Sequence, residues 1–204
     1  MNFMRKLSGL LFGLVLLAGS AFAADEYKID PVHSQVGFAV NHMVINTVHG
    51  RFTDFSGAII LDDKDITKSS VNVTIKAGSI TTDNSQRDNH LKSPDFLDVA
   101  GHPEITFVSK SVEKKGDGYV AHGTLTIRGV SKDVDLGFQL KGPINAGPKS
   151  LLGAEATVTI NRQDFGVSWS KSLDKGQLVV SNDVKIDINV EAGSQKAAAA
   201  PAAK

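Results

Sequence analysis

The residues of this chain with the widest chemical reach are six histidines, a central arginine and a scatter of carboxylates. His33, His42, His49, His90, His102 and His122 include no His-x-x-x-His pair and no Glu-x-x-His pair, so a metal site would need long-range assembly and none is expected. Nucleophilic catalysis requires a hydroxyl beside a base that a third group orients, and no Gly-x-Ser-x-Gly elbow or comparable cluster is present. Asp62-Asp63 runs into Lys64-Asp65, which reads as a solvated turn rather than a catalytic carboxylate pair. Glycine loops that cradle phosphate ahead of a helix are absent. Without cysteine, thiol catalysis, dithiol redox chemistry and cysteine-type zinc sites are excluded. No catalytic residue, metal or cofactor is expected.

What stands apart is Gln86 to Pro103, a polar excursion with neither the period of a strand nor simple turn chemistry. Arg87, His90 and Leu91 share a helical face at offsets of three and four, and Ser93-Pro94 stops that helix. Two readings stay open. Leu91, Phe96 and Leu97 either seal one end of a sheet structure or touch a ligand there, with Arg87 and His90 placed to cap a polar head.

The elements around it are strands. Met1 to Lys6 supplies a positive start, Leu7 to Ala18 an apolar middle and Ala21-Phe22-Ala23 a small-x-small exit, so residues 1–23 read as a signal peptide cleaved after about Ala23. Its removal takes Arg5 and Lys6 and no acid from a balanced 22 and 22, leaving a net charge of −2 that gives no reason to expect nucleic acid. Residues 24–191 make one domain, and 192–204 read as a loose, alanine-rich tail.

Ser70 to Ala77, Val134 to Lys141, Ala154 to Asn161 and Val184 to Val190 alternate apolar with polar, and Lys115-Gly116-Asp117-Gly118 marks a hairpin. Arg51 to Leu61 reads as one extended stretch that needs a bulge to turn both Phe52 and Phe55 inward. Gly142 to Pro148 reads as a loop. About eight strands joined mainly by hairpins predict an all-β fold, a closed antiparallel barrel or a two-sheet sandwich.

Alternation alone does not separate a packed core from an apolar cavity. Three features lean toward a cavity. Small residues (Ala77, Ala121, Gly123, Ala154, Ala156) recur at inward positions. Met43 and His42 interrupt an apolar run, and Arg87 and His90 stand near a mouth.

The motifs then carry a resemblance. Tyr27-Lys28-Ile29-Asp30, His33-Ser34-x-Val36-x-Phe38-x-Val40-x-His42, Val48-x-Gly50-x-Phe52-x-x-Phe55-x-Gly57, Arg87-Asp88-x-His90-Leu91-x-Ser93-x-Asp95-Phe96-Leu97, Pro103-x-Ile105-x-Phe107, Gly123-x-Leu125-x-Ile127-x-Gly129-Val130 and Asn161-Arg162-x-Asp164-Phe165-Gly166 resemble the YceI family of exported lipid-binding proteins. The resemblance covers about residues 25 to 191. It implies an extended eight-stranded antiparallel, lipocalin-like barrel with a short helical insertion around residues 85–98. It also implies a periplasmic location, often a dimer, and an elongated apolar ligand: a polyisoprenoid, an isoprenoid quinone, a prenyl phosphate or a fatty-acid derivative. It brings no catalytic residue.

The residues expected to line such a cavity are Phe38, Val40, Met43, Val44, Phe52, Ile75, Leu91, Phe96, Phe107, Leu125, Ile127, Phe138, Phe165 and Trp169, with polar head contacts from His42, Arg87 and His90. A carrier without turnover, trading with a membrane donor or acceptor, is the leading expectation. The alternatives are an enzyme acting on such a lipid through His42, His90 or Arg87, and a stress-related interaction module with a solid core.

Overall fold

The structure, a computed structural model, describes residues 24–172, 176 and 178–195. The stretch read as a signal peptide lies outside them. Eleven strands are described: β1 (Asp25–Ile29), β2 (Gln35–His42), β3 (Asn46–Phe52), β4 (Phe55–Leu61), β5 (Ser70–Lys76), β6 (Ile80–Thr81), β7 (Glu104–Lys115), β8 (Gly118–Ile127), β9 (Val130–Ala146), β10 (Lys149–Asn161) and β11 (Val180–Gln195). One α-helix, α1 (Ser85–Lys92), interrupts them.

Hydrogen bonding runs β1-β4-β5-β7-β8-β9-β10-β11 and returns to β1 through Lys28↔Gly193 and Ile29↔Ala192, all antiparallel. The result is a closed eight-stranded barrel, which leaves no free sheet edge around that ring. β2, β3 and β6 extend three of its staves. Along the same edge of β11 that β1 occupies, β2 takes over from Gln35↔Asn189 to Val40↔Val184, β3 pairs with β2, and β6 adds two rungs to β3. The break between β1 and β2 follows from Pro31, which has no N–H to give a ladder. Ser34 fills the gap. Its hydroxyl accepts from Glu191 N at 2.9 Å and donates to Glu191 O at 3.2 Å, while Asp30 N donates to the same carbonyl at 2.8 Å.

Three expectations from the sequence need correction. Phe52 and Phe55 both turn inward without a bulge, because the chain changes partner at Thr53-Asp54: β3 pairs with β2 and β6, β4 with β1 and β5. Gly142 to Pro148 is not a loop but the end of β9 and its turn. Gly142 at φ 99° takes a kink that an L side chain resists, and a register shift at Leu151/Gly153 absorbs it on the partner strand. Finally, β11 runs four residues past the domain end set at 191. Ala192 is fully buried and pairs with both Ile29 and Leu152, so the strand is tied into the barrel on both sides beyond that end. The rest of that tail, 196–204, lies outside the described residues.

Inward and outward positions alternate along the long hairpins as the sequence pattern requires, with Leu125 and Ile127 buried on β8 while Thr124 and Thr126 are half-buried on its other face. Two compact clusters occupy the ends. Tyr27, Ile29, Val36, Phe55, Ile59, Leu61, Leu152 and Ala192 fill one; Ala77, Ile105, Leu125, Ile127, Ile160 and Phe165 fill the other.

Candidate functional site

Between and along those clusters lies a cavity of about 270 Å³, just below the roughly 300–1,000 Å³ usual for ligand sites. Every stave contributes apolar side chains. Val134, Leu136, Phe138 and Leu140 come from β9, Ala154, Ala156, Val158 and Ile160 from β10, and Val184, Ile186, Ile188 and Val190 from β11. Val184 to Val190 alone spans about 20 Å along its strand, so the void is elongated and suits a chain better than a compact molecule.

Two glycines set where rings lie in the wall. A Cβ on Gly50 would sit 2.3 Å from Phe38 Cζ, and one on Gly123 would sit 2.5 Å from Phe107 Cζ. Each phenyl ring therefore lies flat over a glycine of the adjacent strand and stays in the wall. Phe38 further meets Phe52 at 5.9 Å between ring centroids. The small inward residues thus divide into two kinds. Gly123 yields its space to Phe107 and Ala77 is packed in a core cluster, whereas Ala121, Ala154 and Ala156 border open volume.

One end is covered by the helical excursion. The Asn84 side chain caps α1 by accepting from Arg87 N at 3.0 Å, and Ser93 ends it. Leu91 from the helix and Phe96 and Leu97 from the turn that follows line the cavity. Arg128, held at φ 51°, clamps this cover to the barrel, donating to Pro94 O at 2.8 Å and to Gly166 O at 2.7 Å. Behind Phe96 sit His90 and Trp169, at 4.9 and 5.3 Å between centroids, and His90 Nε2 meets Asp95 Oδ2 at 2.9 Å.

Of the lining expected from sequence, Phe38, Val40, Phe52, Ile75, Leu91, Phe96, Phe107, Leu125, Ile127, Phe138 and Phe165 border the cavity. Six residues do not. Met43 and Val44 form the turn between β2 and β3 with positive φ and stand 38% and 69% exposed: the break at Asn41-His42-Met43 is a hairpin tip projecting past the barrel, not a wall segment. His42 closes that hairpin opposite Asn46, away from the lining. Arg87 turns back on its own segment, donating to the hydroxyl and carbonyl oxygen of Thr82 at 2.7 and 2.9 Å. Asp88 braces the same spot. Burial disfavours its charge, yet donors from Thr82 and Thr81 outweigh burial and hold its pKa below the usual value. His90 and Trp169 back the cover from outside without reaching the cavity.

Arg162 was missed as a wall residue. It follows β10, is 6% exposed and borders the cavity. Its position directly after the alternating Ala154-to-Ile160 run was the available signal, since continuing that period places it inward by way of the short 3₁₀ turn Arg162–Phe165. Burial pushes its pKa below the ordinary arginine value. Among the described residues one group of three potential metal ligands occurs, Asp30, His33 and Glu191, on the outer surface where β1 passes to β2; His33 Nδ1 and Asp30 Oδ2 form an ordinary ion pair at 2.9 Å.

Comparison with known proteins agrees with this geometry. A UPF0312 protein of Serratia proteamaculans is 41% identical over 193 residues, which is 92% of this chain and 96% of that protein. The Campylobacter jejuni YCEI protein superposes with a TM-score of 0.66 at 33% identity, covering 76% of this chain and 90% of that one. A polyisoprenoid binding domain from Saccharophagus degradans shares the fold, with a TM-score of 0.57 at 16% identity over 83% of this chain and 98% of that one. Residues 27–192 match the model of the YceI-like domain, and the chain belongs to that family.

Proposed function

We propose that this protein binds an elongated apolar molecule inside its barrel and carries it without chemical change. The candidates are a polyisoprenoid, an isoprenoid quinone or prenyl phosphate, and a fatty-acid derivative. The observation that carries the reading is the apolar void running along the strands. The structural neighbour described as a polyisoprenoid binding domain supports the same ligand class. Affinity comes from apolar area, about 25 cal/mol for each Å² removed from water, less the cost of immobilising a flexible chain.

We further infer that the carrier works in the periplasm, taking cargo from a membrane donor or passing it to a membrane acceptor, alone or as a homodimer; the signal-peptide pattern of residues 1–23 supports the export part of this reading. The test is to purify the exported chain from its native compartment, extract it with organic solvent and identify what comes out by mass spectrometry. A chain-bearing lipid near one per protein is expected. Protein that is repeatedly empty, and that takes up no labelled prenyl or acyl probe, removes the proposal.

A further inference from the structure

Among the described residues, the longest run of large exposed apolar side chains is the tip of the β2–β3 hairpin. Met43, Val44 and Ile45 are 38%, 69% and 85% exposed, while Val32, Val108 and Ile144 stand singly on separate segments. The tip is also strained. Met43 at φ 51° and Val44 at φ 64° both occupy the left-handed region, which asparagine and glycine enter easily and a β-branched side chain resists. Val44 faces solvent, so packing within the chain does not account for the strain it holds.

The tip stands at the covered end of the barrel. His42, at its base, pairs with Val180 of β11, which lines the cavity, and Met43 N donates to Val179 O at 2.9 Å. At this same end β10 runs into the turn Arg162–Phe165, and Gly166 O just beyond accepts from Arg128, the residue that clamps the cover. The connections at the opposite end are polar: Asp62-Asp63-Lys64-Asp65 follows β4, and Lys115 to Gly118 joins β7 to β8. The apolar protrusion therefore lies at the end that side chains close.

Shape and size select the occupant. A convex tip of three side chains falls far short of the roughly 800 Å² that each partner of a stable protein complex buries. A bilayer sets no such minimum, because each apolar side chain that leaves water contributes separately. We propose that Met43, Val44 and Ile45 dip into the surface of a lipid bilayer and bring the covered end of the barrel against it. This contact rests on the binding reading above and adds to it the face through which cargo and membrane meet.

The chain has no cysteine, so Asn46→Cys and Asp117→Cys each carry a single environment-sensitive dye, one beside the tip and one at the opposite end. With vesicles of phosphatidylethanolamine and phosphatidylglycerol, emission from the dye at 46 should shift to the blue and that from the dye at 117 should not. The double variant Val44→Asp, Ile45→Asp should bind these vesicles at least about tenfold more weakly. Val44→Asn relaxes the turn, so it should raise the melting temperature and still weaken vesicle binding, a combination that a purely structural turn would not give.

A labelled prenyl probe separates this contact from the binding reading. Supplied from ethanol, the probe should load the native protein and the double variant alike; supplied in vesicles, it should load the variant at least about tenfold more slowly. A dye at 46 that stays in water, equal vesicle binding by native and variant protein, or equal loading from vesicles each overturns the docking face and leaves the binding reading standing. Tip-dependent self-association without vesicle binding assigns the tip to a second copy and overturns the membrane contact. A probe that enters neither protein from ethanol, while the dye at 46 still shifts, removes the binding reading and leaves the membrane contact in place.

Discussion

Replacing Gly50 with alanine tests whether the wall of the cavity is built as described. In a strand with free space, alanine stabilises relative to glycine by about 0.5–1 kcal/mol, because the unfolded chain loses freedom and the strand gains a side chain. Here the new Cβ would sit 2.3, 2.7 and 2.9 Å from three atoms of the Phe38 ring, against 3.4 Å or more in ordinary contact. The ring must retreat by about 1 Å toward the cavity, and overpacking of this kind costs about 1–3 kcal/mol. The sign is therefore the test. Gly50→Ala should lose about 1–2 kcal/mol in urea denaturation at unchanged m, and its melting temperature should fall by several degrees. Phe38→Leu removes the ring that collides, so Gly50→Ala made in that background should cost nothing or stabilise, a coupling that a double-mutant cycle measures directly. A Gly50→Ala variant as stable as the parent, or costs that add in the double variant, would show that the ring does not lie over the glycine.

Leu125→Trp puts bulk into the void from β8. Filling a cavity stabilises an empty barrel or leaves it unchanged, so the variant should hold its denaturation midpoint yet take up a labelled prenyl or acyl probe at least tenfold more weakly; a destabilised variant that still binds would place Leu125 in solid packing. His33 and His122 are both raised above the ordinary value of 6.5, His33 by its hydrogen bond to Asp30 with help from Glu191, and His122 by its hydrogen bond to Asp135, which outweighs the opposing effect of burial with help from Glu113. The protonated forms are the ones the fold favours. Their contribution is complete below about pH 6.5 and is lost as pH rises through the folded values, so the urea midpoint should decline as pH rises above about 6.5 while imidazole NMR shows both rings titrating above that value; a midpoint that rises there contradicts the pairing.

The strands were legible in the sequence because a two-sided sheet writes its faces directly as alternation, and Ala154 to Ile160 or Val184 to Val190 state both the element and the inward face. The Arg87 and His90 assignments failed for a different reason. A helical face groups those residues correctly but does not say what the face meets, and α1 turns Leu91 to the cavity while Arg87 reaches back to Thr82. The Met43-Val44 error was one of topology: an interruption in an apolar run has the same residues whether the strand continues or reverses. Small residues likewise carried two meanings, with Ala156 leaving space open and Gly123 giving it to a ring from the next strand. Arg162 was hidden because a charged residue after an alternating strand reads as the first solvated position of a turn.

The ring of hydrogen bonds is complete around β1, β4, β5 and β7 to β11, but among the described residues β6 pairs with β3 alone, and α1 lies in contact with it. The tube is thus hooped at one end and panelled at the other, and the panel is fastened by side chains such as Arg128 and Arg87. Girth is dictated by the hoop. Lifting the panel would part side-chain bonds and leave every rung of the hoop intact, so the cover and the ring draw on separate sets of bonds.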